Sequence, residues 1–161
     1  ADELAGQLAE LDTDPEVVLV ATGSCGTQAG LVAGTVAAGR RWRVVGATVS
    51  RPPAECRDRV LRLARGCAAL LKSPTPEERD VELVDARGPG YGVASADGDT
   101  AAGLAAATEG LLLDPVFTAK AMAVLVATIG AGLSGPAVFV HTGGMPVALQ
   151  SIARRCGDQQ R

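Results

Sequence analysis

The run Thr22-Gly-Ser-Cys-Gly-Thr27 follows five apolar residues, Val17 to Ala21, and precedes a small-residue stretch from Ala29 to Ala38. A strand entering such a turn and a helix leaving it aim several backbone N–H groups and a positive dipole end at one point, which suits a phosphate. Gly23 and Gly26 permit a tight turn and close approach of a ligand. Alone, the turn also fits a merely tight connection, or phosphate-bearing ligands of many kinds. Two of these are disfavoured by neighbouring residues. A nucleotide P-loop needs a lysine followed by Ser or Thr at the helix start, where this chain has Thr27-Gln28. The NAD fingerprint wants an acid at the end of the next strand, where this chain has Ser50-Arg51, so that only an NADP-type arginine stays open.

Three further places carry polar groups next to backbone punctuation. Gly88-Pro-Gly-Tyr-Gly92 is too rich in Gly and Pro for a regular element and presents Tyr91, either toward a ligand or with its ring packed on the domain. Thr118 opens an apolar helix, where a hydroxyl is an ordinary N-terminal residue. Thr142-Gly143-Gly144 follows a second apolar run, Ala137 to His141. The four cysteines show no CxxC spacing and His141 is the only histidine, so a zinc site lacks ligands. Cys56 and Cys67 fall on one helix and read as reduced, partly buried thiols.

The elements that must position these groups alternate. Leu4 to Leu11 has helical spacing, Val17 to Ala21 reads as a central parallel strand, and Ala29 to Ala38 is a helix closed by Gly39. Arg43 to Val49 is a second strand, and Pro52-Pro53 starts an amphipathic helix through Leu71 that Ser73-Pro-Thr-Pro76 stops. Val81 to Val84 is a short strand, Ala101 to Ala107 a helix, Leu111 to Leu113 a brief extended run, and Phe117 to Ile129 an apolar helix. A strand, Ala137 to His141, and a helix, Met145 to Arg155, complete the series. The pattern predicts an α/β domain, a parallel sheet with helices on both faces, whose ligands bind at the C-terminal strand ends.

Composition bounds the rest. The 161 residues make one domain, 47% hydrophobic but only 2% aromatic, so its interior is built from Ala, Val and Leu. Net charge is -3, and Arg40, Arg41 and Arg43, like Arg57, Arg59, Arg62 and Arg65, are interleaved with acids or apolar residues. No basic face for nucleic acid results. The most apolar stretch, Ala121 to Leu133, is shorter than the roughly 20 residues that span a bilayer. Nothing at the start of the chain resembles a secretory signal, so a cytoplasmic location is expected.

Four separated segments together resemble one family in the right order. Thr22-Gly-Ser-Cys-Gly-Thr-Gln-Ala-Gly-Leu31 is similar to its phosphate-binding loop and Gly88-Pro-Gly-Tyr-Gly92 to its active-site tyrosine loop. Glu109-Gly-Leu-Leu-Leu-Asp-Pro-Val-Phe-Thr-Ala-Lys-Ala-Met122 resembles the segment beneath the pyridine ring, and Phe139-Val-His-Thr-Gly-Gly144 the final Gly-rich turn. The family is that of the pyridoxal-phosphate enzymes D-cysteine desulfhydrase and aminocyclopropane-carboxylate deaminase. The resemblance implies a fold-type II, tryptophan-synthase-β-like large-domain portion. It places Gly23, Ser24, Cys25, Gly26 and Thr27 around the cofactor phosphate, Thr118 at the pyridine nitrogen with Thr142 close by, and Tyr91 in catalysis. Cys25, where relatives commonly have a small residue, is expected to act by steric fit and backbone donation.

Thr118 also divides the family. Relatives specialised for ring opening place a glutamate here, whose carboxylate keeps the ring nitrogen protonated. A neutral hydroxyl holds that proton less well, so the resemblance implies carbon–sulfur β-elimination from a cysteine-like amino acid rather than ring opening. Phe117 stands where the family usually has tyrosine, and Ala119 replaces a glycine, adding a methyl expected near the ring. The lysine that forms the Schiff base with the cofactor belongs to an upstream segment, and only sixteen residues precede Val17. Lys120 and Lys72 do not match it, and Lys72 reads as a solvated turn residue. Residues 1–161 are therefore expected to be one cofactor-binding large-domain fragment, without the small domain and inactive alone. The N-terminal half would act in cis or in trans, and the substrate would be a small amino acid.

Three origins fit: an excised part of a larger enzyme, which the start at Ala1 favours; one subunit of a split enzyme; or a non-catalytic remnant used for binding or assembly. A cysteine lyase domain of a larger polypeptide, such as a polyketide synthase, is a version of the first. Homo-oligomerisation is compatible with each.

Overall fold

The computed structural model describes residues 1–158, with side chains through Ala153. Four strands, β1 (Val17–Thr22), β2 (Arg43–Thr48), β3 (Glu82–Asp85) and β4 (Ala137–Val140), form one sheet in the order β3-β2-β1-β4. Every pairing is parallel, with Val17 opposite both Arg43 and Ala137. Parallel neighbours need crossovers, and the helices supply them. These are α1 (Asp2–Glu10), α2 (Gly26–Ala37), α3 (Pro53–Leu71), α4 (Ala96–Glu109), α5 (Thr118–Gly130) and α6 (Met145–Asp158).

Side chains alternate across the strands, so each face of the sheet takes its own helices. Val44 packs with Ala29, Val32 and Ala33 of α2 and with Val60, Leu61 and Ala64 of α3. On the opposite face Val17, Leu19, Val45 and Ala47 meet Ala121 and Leu125 of α5. The buried residues of α3, Cys56, Val60, Leu61, Ala64 and Ala68, fall at helical spacing on one stripe. Pro53 opens that helix and Lys72 ends it in the left-handed region at φ 53°, exposed to solvent as expected.

Gln28 fixes α2 to the sheet. Fully buried, its amide accepts from the Thr22 hydroxyl at 2.9 Å and donates to the carbonyls of Glu82 at 2.8 Å and Val44 at 3.4 Å. The amide lies directly over Gly46 of β2, where any Cβ would overlap it. A buried amide with its partners satisfied costs little and specifies one arrangement, so the turn between β1 and α2 is held from behind.

Two local expectations are corrected. α4 begins at Ala96, earlier than the Ala101 read from the sequence, because Ser95 caps it by accepting from the Gly98 amide at 3.2 Å. Gly98 looks like a loop residue but lies inside the first turn of the helix, where a Cβ would come within 2.8 Å of the capping Ser95 hydroxyl. Leu111 to Leu113 form no strand; Leu113 is buried between α4 and α5 instead.

Candidate active-site cleft

The C-terminal ends of β1 and β4 open into a cleft of about 910 Å³. Gly23, Ser24 and Thr27 line it from one side, Thr118 from another, and Tyr91 and Thr142 complete the set. Six of the eight residues singled out in the sequence thus share one cavity. Cys25 and Gly26 are not among its lining residues. Cys25 is buried behind the turn, within hydrogen-bond range of the Gly23 carbonyl at 3.8 Å, and Gly26 packs against the Ser24 hydroxyl.

The turn's shape departs from its composition. Cys25, and neither glycine of the turn, takes the left-handed conformation, at φ 72°. Gly23 is required for space: a Cβ there would come within 3.1 Å of the Phe117 ring. Among the described residues the amides of Cys25, Thr27 and Gln28 have no intramolecular acceptor, as expected for the start of a helix. Arg51 donates to the Gly23 carbonyl and Arg59 to the Ser24 carbonyl, each at 3.0 Å, so two guanidinium groups flank the same turn. Free amides, a helix N-terminus and two cations fit a phosphate. From the sequence, Arg51 stays open only as an NADP-type arginine, and Arg59 is one of the interleaved arginines that form no basic face.

Phe117 occupies the centre of the wall. Its ring touches Gly23 and meets Tyr91 edge-on at 6.0 Å. Tyr91 is 63% exposed, and its hydroxyl has no hydrogen-bond partner among the described residues. Ala119 does not line the cleft, contrary to the expected methyl beside the ring; it packs with Ala105 and Leu113 on the side facing α4.

Below Phe117 lies a residue the sequence reading quoted without assigning. Asp114 is 1% exposed, and its carboxylate accepts from the amides of Val116 at 2.9 Å, Phe117 at 2.8 Å and Thr118 at 3.0 Å. It also accepts from the Thr118 hydroxyl at 2.7 Å, while that hydroxyl accepts from the Asp114 amide at 2.8 Å. Asp114 therefore caps α5, and Thr118 is locked to it. An Asp-Pro four residues ahead of an apolar helix is the sequence trace of such a cap.

Lys120 is the second residue missed. It is 1% exposed, and its Nζ donates to the carbonyls of Arg87 at 2.7 Å and Gly90 at 2.9 Å. Burial holds its pKa below the usual lysine value. The ammonium points away from the cleft and ties down the loop that carries Tyr91. A lone lysine inside the run Thr118 to Leu125 was the available clue.

A parallel sheet with a glycine turn, facing hydroxyls and flanking cations at its C-terminal edge defines a phosphate-anchored cofactor domain. The comparisons name the class. Residues 1–143 match the family model of pyridoxal-phosphate dependent enzymes, and the chain belongs to that family, which uses pyridoxal phosphate. It is 42% identical over 148 residues to a D-cysteine desulfhydrase of Salmonella paratyphi C, an alignment covering 89% of this chain and 44% of that protein. A D-cysteine desulfhydrase of Salmonella paratyphi B is 42% identical over 133 residues, 80% of this chain and 40% of the relative. A solved structure described as an ACC deaminase homologue superposes with a TM-score of 0.80 at 29% identity, covering 90% of this chain and 45% of that one. The chain thus spans under half the length of these relatives. Among the described residues no helix is long and apolar enough to cross a membrane.

Proposed function

We propose that this chain supplies the phosphate cup and the pyridine-facing wall of a pyridoxal-phosphate-dependent carbon–sulfur lyase. Its substrate is cysteine or a cysteine-like amino acid. The observation that carries this reading is the gathering of Gly23, Ser24, Thr27, Tyr91, Thr118 and Thr142 in one cleft, in a chain 42% identical to D-cysteine desulfhydrases.

In this reading the amides of the turn, with Arg51 and Arg59 behind it, hold the phosphate; Cys25 contributes backbone only. The bound cofactor supplies the electron sink that lets a proton leave the α-carbon and sulfur leave the β-carbon. Thr118 faces the ring nitrogen with Thr142 beside it, and the Phe117 ring keeps that wall apolar. The unpartnered Tyr91 hydroxyl orients the substrate and holds a proton for the departing sulfur. The base and the cofactor-linking lysine come from polypeptide outside this chain, in cis or in trans. A cytoplasmic location belongs to the same proposal.

The test is to combine the chain with the N-terminal half of a desulfhydrase relative and follow cysteine and aminocyclopropane carboxylate in parallel. Pyruvate, ammonia and hydrogen sulfide should form from cysteine faster than the cyclopropane ring opens, and Tyr91→Phe should slow turnover while cofactor binding persists. Faster ring opening, or no binding of the cofactor, refutes the assignment.

A further inference from the structure

The hydroxyl of Thr118 has a single proton, and that proton is already committed. It is donated to Oδ2 of Asp114 at 2.7 Å, inside a site where both residues are 1% exposed. The hydroxyl oxygen also accepts from the Asp114 amide at 2.8 Å. One lone pair is left.

The Asp114 carboxylate holds it in that state. All four of its contacts are donors, three amides and the hydroxyl, and none is an acceptor. Every contact of this carboxylate is thus one in which its oxygens accept, which leaves the Thr118 hydroxyl the donor of the pair. Turning the Thr118 proton toward the cleft would strip Oδ2 of a short hydrogen bond, 2.7 Å long. Gly144 closes the site from the other side: at φ 97° it lies so near Asp114 that a Cβ would overlap Oδ2.

Asp114 is the only carboxylate lining the cleft among the described residues; Arg51, Arg59 and Tyr91 are the other ionisable groups there. The arginines are bound to carbonyls of the phosphate turn, and Tyr91 lies against Phe117. His141, just after β4, pairs with the Leu112 carbonyl through Nε2 at 3.2 Å and accepts from the Gly143 amide at Nδ1, so both ring nitrogens are engaged away from Asp114. Lys120 of α5 is spent on the loop carbonyls. Among the described residues no cationic side chain pairs with Asp114.

We propose that Asp114 is a positioning residue that presents Thr118 to the cleft as an acceptor and, through it, selects a cofactor whose ring nitrogen carries a proton. The inference rests on the proposed seat of the cofactor, with its ring nitrogen toward Thr118. It reverses what the residue type alone suggests: a threonine reads as a partner for a neutral nitrogen, but a threonine hydrogen-bonded to a buried carboxylate repels a lone pair and attracts an N–H. The chain places the counter-charge one hydrogen bond further back than the glutamate of the ring-opening relatives.

The experiment uses the full chain with pyridoxine 5′-phosphate labelled with ¹⁵N in the ring. This probe has no aldehyde and forms no bond with any lysine. The ³¹P signal reports whether the phosphate is seated, and the ¹⁵N shift, followed against pH, reports when the ring nitrogen loses its proton. Bound to the wild type, the nitrogen should keep its proton to a pH about one to three units above that of the free ligand. Asp114→Asn should abolish most of this rise while the ³¹P signal still shows a seated phosphate. Thr118→Val leaves the Asp114 cap on the amides in place and should give the same loss, which keeps the test decisive if Asp114→Asn does not fold. A seated phosphate with a ring nitrogen titrating as in free solution overturns the role of Asp114. No seating at all overturns the cofactor reading beneath it.

Discussion

Replacing Lys120 by Met removes a charge and two hydrogen bonds while keeping most of the volume of a fully buried side chain. Each bond to a charged donor contributes about 1.5 to 3 kcal/mol, and burying the ammonium costs several kcal/mol in the other direction. The carbonyls of Arg87 and Gly90 belong to half-buried residues and recruit water once released. The net loss in unfolding free energy is therefore modest, about 1 to 3 kcal/mol at neutral pH. The local effect should be larger than the global one. The Gly90 amide bonds to Arg87 at 3.2 Å and the Val93 amide to Gly90 at 3.4 Å, and both belong to the turn that Lys120 pins. Hydrogen exchange at Gly90 and Val93 should accelerate in the variant more than exchange in β1.

The pH dependence gives a second readout with a definite sign. Lys120 has a folded-state pKa below its unfolded value of 10.5, so between the two the unfolded chain binds more protons. The pH-dependent part of the stability Lys120 contributes is thus full above pH 10.5 and lost as pH falls through the folded pKa, leaving at neutral pH only the modest net gain of its hydrogen bonds. The neutral amine still has a hydrogen for each carbonyl. Urea unfolding of the two proteins across this window should show the wild-type advantage widening with pH. An advantage that stays flat or shrinks, with unchanged exchange at Gly90 and Val93, refutes the clamp.

Gly46→Ala should displace the Gln28 amide and lower stability by about 2 to 4 kcal/mol, seen as a fall in melting temperature; a wild-type melting point contradicts the packing argument. Burial and a hydrogen bond with Cys25 push the Cys56 thiol up to about 11, so at pH 8 iodoacetamide should modify half-buried Cys67 well before Cys56 in peptide mass maps. Borohydride reduction with pyridoxal phosphate should label neither Lys72, exposed at the end of α3, nor Lys120 selectively, since neither lines the cleft; stoichiometric labelling of Lys120 overturns the split-site reading.

The fold was legible wherever a period or a turn residue controlled it. Val17 to Ala21 is a continuous apolar strand because both faces of the sheet are covered, Arg43 to Val49 is buried from Val44 onward for the same reason, and α3 shows its stripe plainly. α4 was legible only in part, since Gly98 reads as a helix breaker whereas it sits against the Ser95 hydroxyl that caps the helix. Leu111 to Leu113 read as extended because three leucines in a row carry no period; tertiary packing assigned them to the α4–α5 interface. Within the cleft, the glycine turn pointed to Gly23 and the family resemblance to Thr118 and Tyr91, but neither could give hydrogen-bond partners. Asp114 and Lys120 act through bonds that exist only once α5 is capped and the loop folds over it.

That distinction bears on how the threonine position is read across the family. A side chain at a cofactor is defined by its type and by which of its atoms the protein has already engaged. Thr118 as a free hydroxyl donates or accepts equally; bound to Asp114, it accepts. The cap that starts α5 therefore sets the polarity of the cleft wall, and the close approach of Gly144 seals it. The cap is local, whereas the approach of Gly144 depends on β4 lying beside β1. Their parallel pairing brings the Gly23 turn and the Gly144 turn, distant in the chain, to the same edge, with α5 packed beneath on the Val17, Leu19 face. The sheet order thus brings the glycine turn and Thr118, backed by Asp114, to one cavity, as the proposed seating of a phosphorylated pyridine requires.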